Sequence, residues 1–262
     1  STSDPSGLSH AIAGNTDQVF FSPALQFESA AKAGIAGLGS RVFGRIDYIG
    51  PSAGGTLFFN VNSSASGRYD DIVISGNAGA VTTSLNMTLE GELNAGAGAS
   101  QFDGGDSSVL VDFLVNGTRI GFSKTDLSVF IDPGSVFVGP GKAKIVFGGS
   151  GSANLSSVIT SPQFTVTANT PFSLEIRLQT NTRPFGFGTL IAGSGSAEFL
   201  NTLTFARSGA VFNLAGGYTA NSIDAGISNN FGTVPLPGSL LLIGSALASL
   251  AARALGQRAV RT

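Results

Sequence analysis

The chain has 262 residues, of which 42% are hydrophobic, 37 are glycine and only 11% are charged. A formal net charge of −2 offers no basic field to a phosphate backbone, which argues against nucleic acid as a partner. The absence of cysteine excludes disulfides, thiolate metal sites and cysteine nucleophiles. This balance is typical of closely packed, glycine-rich sheets rather than of a charged helical bundle.

The N-terminal residues carry no export signal of their own. The chain opens with Ser1-Thr2-Ser3-Asp4-Pro5, without an initiator Met, a basic segment or an apolar core. We therefore expect any signal peptide to have been removed from this chain.

Period-two alternation of apolar and polar residues predicts β-strands along most of the chain, because alternate side chains of a strand point to opposite faces. In residues 109–115, Leu110 and Leu114 interrupt the alternation, so that strand is expected to be covered on both faces. The predicted strands are residues 57–61, 71–74, 84–90, 109–115, 144–147, 164–167 and 172–179.

Turn-forming pairs separate these segments, most clearly Asn116-Gly117 and Pro133-Gly134. Residues 95–106 and 148–157 consist of small residues and are predicted to be long loops. Residues 26–39 receive no assignment, because alanines favour a helix there and glycines weaken it. The pattern predicts a mainly β fold, an antiparallel β-sandwich of jelly-roll type, with a barrel as the alternative.

Few residues of the sequence are candidates for catalysis or metal binding. The single histidine, His10, lies in a polar N-terminal stretch. Gly50-Pro51-Ser52-Ala53-Gly54 matches a nucleophile elbow, but a predicted strand follows it instead of a helix, so we predict a turn. Asp70-Asp71 and the pair Asp103 and Asp106 could supply oxygen ligands to calcium, yet neither has the spacing of a known calcium loop. We expect solvated turn carboxylates, no catalytic site and no cofactor.

The C-terminal 29 residues, 234–262, have a separate character. Two prolines precede an uncharged apolar stretch, and arginines follow it, which complements the dipole of a helix. Residues 236–252 would span roughly 26 Å as a helix, at the low end for crossing a bilayer, with the arginines on the cytoplasmic side. The segment comprises a motif (Val234, Pro235, Leu236, Pro237, Gly238), an apolar helix (Leu240, Leu241, Leu242, Ile243, Leu247, Leu250) and a basic end (Arg253, Arg258, Arg261).

This arrangement resembles the PEP-CTERM sorting tail of exported proteins from Gram-negative bacteria. Residues 197–205 and 217–222 are also similar to the last strands of many proteins with that tail. The family name implies Glu where this chain has Leu236. The resemblance implies a β domain over residues 1–233, a sorting tail over residues 234–262, recognition by the membrane protease exosortase and transient contact with the inner membrane.

The expected function is that of a non-catalytic surface protein, a self-associating subunit of an extracellular matrix, sheath or filament. Low charge and open strand edges favour such pairing, and small residues in the tail permit close helix approach. The alternative is a carbohydrate-binding or adhesive module that contacts exopolysaccharide. The absence of Trp and the presence of only three Tyr count against it, although Phe185 and Phe187 could stack on a sugar from a loop.

Overall fold

The computed structural model describes residues 14–17, 25–34, 37–98, 103–130, 142–147, 149–206 and 209–232. This part of the chain is mainly β, built from antiparallel sheets, and contains no helix. The predicted sorting motif, apolar helix and basic end at residues 234–262 lie outside the described residues, as does the Pro133-Gly134 turn, and they stay predictions.

Fifteen strands occur in the described residues. They are β1 (Gly14–Asp17), β2 (Leu25–Gly34), β3 (Gly37–Phe58), β4 (Val61–Ser75), β5 (Ala80–Thr83), β6 (Asn86–Ala97), β7 (Gly104–Val115), β8 (Thr118–Phe130), β9 (Lys142–Phe147), β10 (Ser150–Thr160), β11 (Phe164–Thr167), β12 (Phe172–Phe205), β13 (Thr219–Asn221), β14 (Ile227–Ser228) and β15 (Phe231–Gly232).

The 34-residue strand β12 organises the large sheet. Its first part, residues 172–182, pairs with β4 and β7, and the order β1-β4-β12-β7-β8-β9 forms what we call the front layer. Its last part, residues 193–205, pairs with β3 and β6, and the order β2-β3-β12-β6-β10 forms the back layer. All these pairings are antiparallel except β8 with β9.

Hydrogen bonds made by side chains between the two layers show that the layers face one another. Ser40 of β3 and Thr180 of β12 share a buried hydrogen bond of 2.8 Å, and the Ser107 hydroxyl of β7 donates to the Asn94 carbonyl of β6 at 2.6 Å. The core lies between the layers, where alternate residues of β12 are buried, including Leu174, Ile176 and Phe199. This arrangement fits a β-sandwich.

Most predicted strands are confirmed. Residues 71–74, 109–115, 144–147, 164–167 and 172–179 lie in β4, β7, β9, β11 and β12. Residues 86–90 of the predicted strand 84–90 lie in β6, and Leu85 forms an isolated bridge with Phe212. Coverage of both faces of β7 is confirmed only at the end of the strand, where Leu114 is as buried as Val115, while Leu110 is half-buried.

The predicted Asn116-Gly117 turn is confirmed as a two-residue hairpin between β7 and β8. Its residues have φ angles of 49° and 77°, and the flanking pair is Val115 with Thr118. Both angles are positive, which suits the right-handed twist of the strands and favours Asn-Gly.

Four local predictions are wrong. Residues 57–61 are the junction between β3 and β4. The elbow-like residues 50–54 lie inside β3, next to register shifts in its pairing with β12, and not in a turn. The predicted loop at residues 148–157 is largely strand β10, and the loop at 95–106 holds the end of β6 and the start of β7. Small residues form strands in these places because backbone pairing and the neighbouring layer decide the conformation.

The unassigned residues 26–39 belong to β2 and β3. Their pairing runs from Leu25 with Ile46 to Gly34 with Gly37, so the segment is a hairpin. The alanines that suggested a helix, Ala30, Ala31 and Ala33, are partly buried on this strand pair.

Candidate functional site

Apart from the three-residue strand β13 beside β4, the described part of the large sheet ends in four edge strands, and they differ in charge. Edge strands expose unpaired backbone groups, and natural proteins commonly protect them with charged side chains. Three of the four contain charged residues: Asp17 in β1, Glu28 and Lys32 in β2, and Lys142 and Lys144 in β9. The fourth, β10, has the sequence SGSANLSSVIT, with neither charge nor proline.

Strand β10 pairs with β6 along its whole length, from Ser150 with Gly96 to Thr160 with Asn86. Among the described residues, no strand pairs with its other side. Its side chains alternate regularly between exposed and half-buried. Ala153, Leu155 and Ile159 pack against the core but are only half-buried. The hydrophobic core therefore extends to this edge of the sheet, where part of it is exposed.

The outer face of the back layer carries a groove of about 310 Å³. Strand register places Phe43, Ser196, Asn94 and Ser152 side by side on β3, β12, β6 and β10. The rest of the lining is also small and uncharged, with Ser150, Ser194 and three glycines among it. We call this surface the serine groove. Its hydroxyl and amide groups can both donate and accept hydrogen bonds, beside one partly exposed aromatic ring.

A row of charged residues borders the serine groove. Arg41, Glu198, Glu92 and Asn154 occupy adjacent positions on the same four strands. Desolvation raises the pKa of Glu198, Arg41 lowers it, and the like charge of Glu92 raises it further. Arg41 is also ion-paired with Glu28 of β2. The two carboxylates lie on an open sheet face, and within the described residues neither a histidine nor a metal-ligand set lies beside them.

The front layer carries a second cleft, which is strongly polar. It is lined by residues of β7, β8 and β12 and has a volume of about 280 Å³. Its cations are already paired with its carboxylates, Arg183 with Asp106 at 2.6 Å and Lys124 with Asp126 at 2.7 Å. The cleft therefore presents neutral ion pairs instead of an unbalanced charge.

The calcium candidates have other partners in this structure. Asp106 accepts two hydrogen bonds from Arg183, at 2.6 and 3.1 Å, and the buried Asp103 accepts one from the backbone of Ala192 at 3.1 Å. Asp70 is paired with Arg68 at 2.8 Å. Within the described ranges, no group of three or more His, Asp or Glu is placed to hold a metal ion.

Asp71 has a structural role that the sequence does not reveal. Its carboxylate accepts hydrogen bonds from the Ser222 hydroxyl and from the backbone N–H groups of Ile223 and Asp224, the latter two at 2.7 and 3.1 Å. Desolvation and the nearby charges of Asp71 and Asp70 raise the pKa of Asp224. The turn after β13 is thus held to β4 by a carboxylate.

The predicted stacking pair is placed differently from the prediction. Phe185 and Phe187 both lie within β12, not on a loop, and Phe185 pairs with Phe58 of β3. The guanidinium of Arg183 lies 5.7 Å from the centre of the Phe185 ring. His10 lies outside the described residues.

Sequence reasoning missed β10 and the serine groove, since residues 148–157 were predicted to be a loop. A signal was present, because Ala153, Leu155 and Ile159 recur at even spacing among polar residues. The serines between and beside them hid the period of a strand.

No protein-family model matches the chain, and no curated protein matches it. Within the described part of the chain, none of the residues forms a helix that is long and apolar enough to cross a membrane. The functional interpretation therefore rests on the residues of the edge strands and grooves.

Proposed function

We propose that this chain is a non-catalytic, exported surface protein that self-associates as a structural subunit of an extracellular matrix, sheath or filament. The observation that carries the proposal is the long, uncharged edge strand β10, whose outer side is paired with no strand of the described residues. Unpaired backbone groups on such an edge accept a strand from another chain. The low overall charge, 11% of residues, leaves little electrostatic repulsion between copies.

The partners of the described carboxylates support a non-catalytic role. The carboxylates of the front cleft are neutralised by ion pairs, and Asp71 holds a turn. Ser52, the elbow-like serine, lies within strand β3. No described trio of His, Asp and Glu suits a metal ion.

The sequence of residues 234–262 supports export. In the proposal, the motif at Val234–Gly238 and the following apolar α-helix form a PEP-CTERM-like tail that exosortase recognises, with transient anchoring in the inner membrane. The two-layer β domain is proposed to be a sandwich of jelly-roll type, which leaves open edges where a barrel has none. The protein would then reside at the cell surface or in the extracellular matrix.

Sedimentation velocity over a wide concentration range, combined with electron microscopy of the native cell surface, tests this proposal. We expect concentration-dependent association in solution and regular assemblies at the surface. Intact mass of the surface form distinguishes a full-length chain from one cleaved near Pro237. A chain that stays monomeric at all concentrations and is dispersed at the surface would overturn the proposal.

A carbohydrate-binding or adhesive role is the second candidate, and the serine groove favours it. Neutral hydroxyl and amide groups beside the Phe43 ring suit a polysaccharide, whose hydroxyls need partners that both donate and accept. Affinity electrophoresis in gels containing exopolysaccharide measures such binding. This role predicts retardation that Phe43→Ala abolishes and that Phe231→Ala, at an exposed phenylalanine on β15, leaves unchanged. Equal mobility with and without polysaccharide would exclude it.

A further inference from the structure

We infer that β10 pairs with β10 of a second copy of this chain in an antiparallel arrangement centred on Leu155. The inference rests on the proposed function, because it names the surface through which copies associate. Its first support is the contrast between edges: β1, β2 and β9 carry charged residues, whereas the 11 residues of β10 carry none. Two copies of β10 can therefore meet without like charges being opposed.

The side-chain pattern of β10 is suited to its own copy. An antiparallel pair centred on Leu155 aligns all 11 residues and keeps the half-buried side chains on one face. Leu155 then lies opposite Leu155, and Ala153 lies opposite Ser157. On the exposed face, Asn154 lies opposite Ser156, and these side chains can hydrogen-bond across the strands.

Pairing also completes the burial that β10 leaves unfinished. Ala153, Leu155 and Ile159 contact the core but keep part of their surface exposed. A second strand at about 4.8 Å covers that exposed edge and extends the back layer of one copy into that of the other. Roughly half of the backbone N–H and C=O groups of β10 point away from β6, towards the side on which the second strand would lie.

The contact is isologous, since the same strand is used on both copies, and it closes as a dimer. A filament would then grow by a different contact between dimers. The first association step is accordingly expected to be a discrete monomer–dimer equilibrium.

Sedimentation of the full chain and of two lysine variants tests the edge. Ser156→Lys places a cation on the exposed face of β10, beside the centre of the dimer, while Ser228→Lys places the same charge on exposed β14. Two lysines would approach each other across the dimer axis, so Ser156→Lys is expected to weaken dimerisation about tenfold or more. Ser228→Lys is expected to dimerise like the wild type, and circular dichroism verifies that both variants fold.

Disulfide trapping tests the register, because the chain contains no cysteine of its own. Opposite residues of an antiparallel pair have Cα atoms about 4.5–5.5 Å apart, within reach of a disulfide. An equimolar mixture of Asn154→Cys and Ser156→Cys should give mainly the mixed dimer on mild oxidation. Ser228→Cys mixed with either should give none beyond random collision.

The outcomes separate the two proposals. Association of the wild type that Ser156→Lys leaves unchanged would overturn the β10 pairing and preserve self-association. A monomeric wild type would overturn self-association itself. Mixed disulfides no more frequent than those of the Ser228→Cys control would overturn the stated register.

Discussion

The interior between the two layers has an apolar end and a small-residue end, and β12 passes through both. At the apolar end, β12 contributes Phe172, Leu174 and Ile176 to the front layer and Phe199 and Leu203 to the back layer, and all are buried. Towards the middle of the strand the buried residues become smaller. There the front layer has Thr180, Thr182 and Gly186, and the back layer has Gly193, Gly195 and Ala197.

Different interactions hold the two layers together at the two ends. At the apolar end, rings pack against one another, with the centres of Phe164, Phe172 and Phe212 between 6.2 and 6.4 Å apart. At the small-residue end, the layers approach so closely that a β-carbon on Gly195 would overlap the Thr182 hydroxyl. Hydroxyls fill the remaining space, as in the 2.8 Å bond between Ser40 and Thr180. Burial of apolar side chains stabilises the apolar end, whereas the backbones of the two layers lie close together at the small-residue end.

The largest effect is expected from Phe199→Ala, at the apolar end. The substitution removes a fully buried ring and leaves a cavity that the neighbouring strands can only partly fill. We expect the free energy of unfolding to fall by about 3–5 kcal/mol. Urea denaturation followed by circular dichroism measures it. Phe231→Ala, on a residue that is 55% exposed, is the control and should change stability by about 0.5 kcal/mol or less.

Gly195→Ala tests the small-residue end by the opposite change, an added methyl group. That group would meet the Thr182 and Ser107 hydroxyls, so we expect a loss of about 2 kcal/mol. Gly34→Ala in β2 is the matched control, because a β-carbon there meets nothing within 4 Å. Combining Gly195→Ala with Thr182→Ala should cost less than the sum of the single changes. Strict additivity would show that the layers are not in contact at this point.

The same contrast explains which parts of the fold the sequence could predict. The alternation at residues 172–179 was readable because its buried members are Phe, Leu and Ile, which differ strongly in polarity from the Ser, Glu and Arg between them. At the start of β10, residues 150–153, and at the end of β6, residues 95–97, the inward and outward positions are filled alike by Ser, Gly and Ala. Composition therefore favoured loops where the neighbouring layer imposes strands.

The candidate site was predictable only in outline. An open strand edge was expected from the low charge of the chain, but the choice of β10 depends on strand order, which places β2, β9, β1 and β10 at the edges. The serine groove brings together Phe43, Asn94, Ser152 and Ser196, which are far apart in the sequence and adjacent only through the register of four strands. No local pattern carries that information.

A smaller effect is expected at the hydrogen bond between Ser40 and Thr180. Ser40→Ala leaves the buried Thr180 hydroxyl without this partner. We expect the free energy of unfolding to fall by about 1 kcal/mol. The double variant Ser40→Ala/Thr180→Val removes both polar groups and should lose less than Ser40→Ala alone. A double-mutant cycle by urea denaturation measures the coupling. If the losses of unfolding free energy in Ser40→Ala and Thr180→Val simply add in the double variant, the hydrogen bond contributes no coupling. Close packing alone would then hold the layers together at this end.

The smallest effect at neutral pH, and a distinct one in alkali, is expected from Tyr69→Phe. Tyr69 is buried at the apolar end, with its ring centre 5.3 Å from that of Phe205, and burial raises its pKa from 10.0 to about 12. Because the folded pKa exceeds the unfolded one, the stabilising contribution of the protonated phenol is complete below pH 10 and is lost as the pH rises towards 12. Serine and threonine hydroxyls of the small-residue end do not titrate in this range, so the alkaline loss of stability reports on the apolar end. Tyr69→Phe should flatten the fall in unfolding free energy between pH 10 and 12, measured by urea denaturation at fixed pH. If Tyr69→Phe has the same slope as the wild type, Tyr69 ionises as readily in the folded chain as in the unfolded chain.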